Sequence, residues 1–107
     1  MTDEKKNYLT TDGIRLFILA NILHAVDHDL LNLKFSDINL DVDTEYEGNK
    51  YVIKVDYKDK EIGTLFFPLE AENVESQYRA LMGSTMSVLE ILSVFAKQQK
   101  PVLRIVK

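Results

Sequence analysis

The chain has no cysteine and no tryptophan, and only two prolines and four glycines. Without cysteine, disulfide scaffolds, zinc ribbons and thiol catalysis are excluded together. The glycines stand apart at positions 13, 48, 63 and 83, so no Gly-rich loop is present to cradle a phosphate. No Gly-x-Ser-x-Gly elbow supports serine chemistry. Positive charge is also scarce: 13 Lys and Arg face 17 Asp and Glu, a net charge of −4. That balance disfavours a generic binder of nucleic acid or anionic membrane. The most apolar stretch, 14–26, is interrupted by Arg15, Asn21 and His24 and is too short to span a bilayer. The polar start lacks the apolar core of a signal peptide, so a cytoplasmic protein is expected.

What is present is enough for a core. Leu, Ile, Val and Phe fill about a third of the 107 positions, far more than a disordered chain carries. The expected organisation is a flexible tail over 1–8 and a single α+β domain over 9–107.

Leu9-Thr10-Thr11-Asp12 predicts a helix start, with Thr10 as N-cap and Asp12 at the positive end of the dipole. Leu16, Ile18, Leu19, Ile22, Leu23, Val26 and Leu30 trace a broad apolar arc, which predicts a mostly buried helix ending near Asn32. From Ile38 the period changes to two. Ile38, Leu40, Val42 and Thr44 alternate with Asn39, Asp41, Asp43 and Glu45, a half-buried strand. A hairpin turn at Gly48-Asn49 and another at Asp59-Lys60 lead into strands over 51–58 and 62–69. Pro68 places the third strand at an edge. Val74, Tyr78, Leu81, Thr85, Val88, Leu92 and Ala96 then recur at helical spacing up to about Gln99. That helix should break at Gly83 or overhang the sheet. Beyond Pro101, Val102–Val106 reads as a short strand. The architecture expected is α-β-β-β-α(-β): a three-stranded antiparallel meander, with a possible fourth C-terminal strand, packed on one face by two long helices.

The turn positions imply a register. Asp43 would meet Lys54, and Asp41 would face Asp56, an unfavourable like-charge pair. Val52, Leu65 and Phe67 would share the outer face as an apolar corner that needs a cover, and Phe67→Asp is expected to test it. Ser76, Ala80, Gly83, Ser84 and Ser87 form a small-residue stripe on the second helix, suited to close helix packing.

Candidate chemistry is sparse. His24 and His28 lie at i and i+4 with Asp27 beside them, a spacing able to hold a divalent metal, although a zincin-type Glu is missing. The acids from Asp37 to Glu45 fail the EF-hand pattern, because Val42 stands where its glycine belongs. No cofactor is expected, and no enzyme. The element order is shared with double-stranded-RNA-binding domains, but Glu70, Glu72 and Glu75 stand where those domains place basic residues. The outline is also similar to that of small acidic secretion chaperones, on fold-level analogy alone.

Charge is segregated: 37–47 holds five acids and no base, while Lys97, Lys100, Arg104 and Lys107 close the chain without an acid. The resulting expectation is a small acidic protein–protein interaction module of adaptor, inhibitor or chaperone type, acting as a homodimer. Its partner surface is expected at Val52, Leu65, Phe67, Asp41, Asp43 and Glu45. Nucleic acid, membrane and small-molecule substrates are not expected as partners. The alternatives are an acidic nucleic-acid mimic acting on a DNA-binding protein, or a metal site at His24/His28.

Overall fold

The computed structural model describes residues 10–45, 49–68 and 73–98. The elements run α1 (Thr11–Asp27), a 3-10 turn (Phe35–Asp37), β1 (Ile38–Glu45), β2 (Lys50–Tyr57), β3 (Lys60–Pro68) and α2 (Val74–Gln98). The strands form one antiparallel sheet in the order β1-β2-β3. This is the α+β class. The strand expected over 102–106, the N-terminal tail and Gly48 lie outside the described residues.

Thr10 caps α1 as its sequence indicates, its Oγ1 accepting from the Gly13 amide at 2.9 Å. The helix stops five residues before Asn32. Asp29 turns left-handed at φ 60°, and the Asp29 and Leu30 amides donate back to Val26 and Ala25. This is a Schellman ending with Asp in the place that glycine usually takes, so composition gave no stop signal. The buried stripe is also narrower than the expected arc. Ile14, Ile18, Ile22 and Ala25 face the sheet, whereas Leu16 and Leu23 are exposed.

Between β1 and β2 the pairing is displaced by two residues from the expected one. Asp41 faces Lys54 and Asn39 faces Asp56, so the like-charge pair does not exist. A displacement of two preserves the faces, and Leu40, Val42, Ile53 and Val55 all enter the core. Between β2 and β3 the change is more consequential. The turn residues are Lys58 and Asp59, both with positive φ at 52° and 66°, closing Tyr57 against Lys60. An irregularity opposite Val55 and Asp56 then inserts Ile62 as an extra residue on β3. The result pairs Tyr51 with Phe67, Ile53 with Leu65 and Val52 with Phe66. Relative to expectation β3 has slipped by one, which exchanges its faces. Two L-residues other than Asn or Gly in a type I′ turn are held against preference. Lys58→Asn combined with Asp59→Gly should therefore raise stability by about 1 kcal/mol in urea unfolding, with unchanged strand pairing.

α2 is continuous through Gly83, whose missing side chain faces open space. Asn73 Oδ1 accepts from the Ser76 amide at 2.8 Å and starts the helix. Leu81, Val88 and Leu92 are buried, and Thr85 returns its hydroxyl to the Leu81 carbonyl at 2.8 Å. The first two turns overhang, leaving Val74 and Tyr78 exposed. By length and composition alone α2 could cross a membrane, a property it shares with core helices of soluble domains. The small-residue stripe is divided: Ser84 is buried, while Gly83 and Ser87 are exposed.

Candidate functional site

Both helices cover one face of the sheet, and no described element covers the other. The open face carries Asn39, Asp41, Asp43 and Glu45 from β1, Lys50, Val52, Lys54 and Asp56 from β2, and Thr64 and Phe66 from β3. The expected corner of Val52, Leu65 and Phe67 is not one surface. Phe67 is 7% exposed, with its ring stacked 4.9 Å from that of Tyr51 inside the core. Leu65 lies on the same side, packed against the core. Val52 stays outside, with Phe66 beside it at 57% exposure and Lys50 Nζ 4.6 Å above that ring. Two adjacent phenylalanines conceal this exchange in the sequence, because either can face the core.

The acidic row is partly compensated. Lys50 Nζ lies 3.7 Å from Glu45, and Lys54 is the register partner of Asp41. Asp43 faces Val52 and has no basic residue directly opposite.

His24 and His28 come together on α1 with ring centroids 4.2 Å apart, and both are exposed. Asp27 is exposed nearby, but no group of three or more His, Asp or Glu able to hold a metal forms among the described residues. Two imidazoles would leave half of a tetrahedral sphere to water.

Periodicity concealed a different feature, the flank of α2 beside α1. Tyr78, Met82 and Met86 recur every four residues there, and all three are exposed. Phe17 meets Tyr78 edge-on with centroids 6.1 Å apart. Further along, Met86 and Leu89 join Ala25, Leu30 and Leu31 around a groove of about 380 Å³. Leu30 is 73% exposed and Met86 64%. Comparisons with protein-family models, curated proteins and solved structures found no match. The chain's own surfaces therefore carry the functional reading. A second groove, of about 450 Å³, runs along the opposite flank of α2, between that helix and β3. Each flank is apolar, and among the described residues Glu90 is the titratable group that lines them.

Proposed function

We propose that the protein is a non-enzymatic protein–protein interaction module that acts as a homodimer, with the Tyr78–Met82–Met86 flank and Leu30 as its partner surface. The observation that carries this reading is that flank: large apolar side chains at helical spacing, left in water beside a shallow apolar groove. Methionines suit such a surface because unbranched thioethers repack against different partners. A partner presenting its own amphipathic helix would bury both stripes. The nucleic-acid-mimic alternative gains nothing from the open sheet face, where Lys50 and Lys54 interrupt the acids. We read Val102–Val106 as a fourth strand of the same assembly.

Met82→Glu with Met86→Glu tests the partner surface, since both side chains are exposed and the core is untouched. Stability in urea should stay within about 0.5 kcal/mol of the parent. Proteins captured by the parent from its source cells should be lost by the double variant. Equal capture by both overturns the assignment of this flank.

A further inference from the structure

The two edges of the sheet differ. At β1, the Leu40 carbonyl points away from β2 and is occupied by Arg15 Nε at 2.8 Å. At β3 no strand among the described residues pairs with the outer edge. The Tyr57–Lys60 pair closes a two-residue turn, so it is hydrogen-bonded; counted along β2, which carries no inserted residue, the alternation makes Val55, Ile53 and Tyr51 the bonded positions as well. Leu65 and Phe67 direct their backbone groups to β2, while Thr64 and Phe66 direct theirs outward. Beside this edge runs the groove lined by Ile62, Leu65, Ile91, Val94, Phe95 and Gln98.

We infer that this edge and groove receive residues 102–106 of a second copy of the chain, an exchange of C-terminal strands that rests on the homodimer reading. Three observations select the occupant. First, length agrees: five extended residues span roughly 16 Å, as do the eleven helical steps from Ser87 to Gln98 along the groove. Second, charge agrees: the segment brings Lys100, Arg104 and Lys107 and no acid, and the charged residue lining the groove is Glu90.

Third, topology disfavours the chain's own segment as a paired strand. Phe95 lies on Tyr57, beside the start of β3, and Ile91 lies over Gly63, so α2 runs antiparallel to β3. A segment returning from Gln98 along the same edge would run parallel to β3. Viewed from the helices with β3 pointing up, an L-residue whose side chain faces the viewer has its N–H and C=O to the right. Leu65 is such a residue, so β2 lies to the right and the free edge to the left. With the helix in front, a step to the left is a left-handed crossover, whereas about 98% of such connections are right-handed. A strand from a second copy carries no such constraint.

The test combines molar mass by light scattering with amide hydrogen exchange at Thr64 and Phe66, on the full chain and its Ile105→Pro variant. Proline removes a backbone donor from the inserted strand. The expected result is a dimer with both amides protected, and a variant of half the mass whose two amides exchange about tenfold faster or more. A monomer with protected amides that Ile105→Pro releases would place the chain's own segment in the groove and overturn the exchange. A monomeric parent with unprotected amides overturns the homodimer reading as well. A dimer whose Thr64 and Phe66 amides exchange freely, or that Ile105→Pro leaves unchanged, keeps that reading and overturns this inference alone.

Discussion

Phe67→Asp should unfold the protein. Phe67 is 7% exposed, stacked on fully buried Tyr51, and belongs to the core cluster. Truncating a buried aromatic side chain costs about 3–5 kcal/mol, and placing a carboxylate there adds a desolvation cost. Together these reach the whole stability of a domain of this size, commonly about 5–15 kcal/mol. Far-UV circular dichroism should lose its cooperative transition, whereas Phe66→Asp, one residue away, should unfold in urea nearly as the parent does. A folded, dissociated Phe67→Asp protein would restore the outer-face register. The contrast between the two neighbours measures directly which face each occupies.

The second large effect is expected where Ile91 of α2 lies over Gly63 of β3. A Cβ built on Gly63 would lie 2.9 Å from Ile91 Cδ1 and 3.1 Å from its Cγ2. Ile91 is β-branched and stiff at χ1, so it cannot simply swing away. Gly63→Val should therefore destabilise by about 1–3 kcal/mol through overpacking. Shortening the opposing side chain should relieve it: Gly63→Val with Ile91→Ala is expected to be more stable than Gly63→Val alone. Thermal unfolding of the four proteins in the double-mutant cycle gives the coupling. Strictly additive losses would show that α2 is not seated on Gly63.

Much of the architecture was legible in local pattern. The alternation from Ile38 to Glu45, the Thr10 cap and the Leu81–Val88–Leu92 spacing are consequences of helix and strand periods. Each requires only near neighbours, so α1, β1, β2 and the core stripe of α2 followed from them. The extent of α1 did not, because Asp29 ends it in a conformation that composition rarely signals. The β2–β3 register did not either. Lys58-Asp59 adopts a turn that favours Asn-Gly, and Ile62 is inserted where no glycine or proline marks a bulge.

The candidate surface divides in the same way. Sequence placed His24 and His28 on one helix face, because an i, i+4 spacing is local. It could not separate Phe66 from Phe67, since both satisfy any strand pattern and only the paired strand decides which one is buried. Nor could it expose Tyr78, Met82 and Met86. Their apolar spacing resembles a core stripe, and they face water because α1 covers only part of that flank.

By itself, then, the sequence determined the α+β class, the Thr10 cap, the inward face of β1 and β2, and the separation of acidic and basic segments. The tertiary structure alone decided the face of Phe67, the pairing of Asp41 with Lys54, and which apolar side chains stay in water. The physical reason is reach: backbone periods and capping act within a few residues. Register and burial are instead settled by packing between segments distant in the chain, where a one-residue slip exchanges inside for outside.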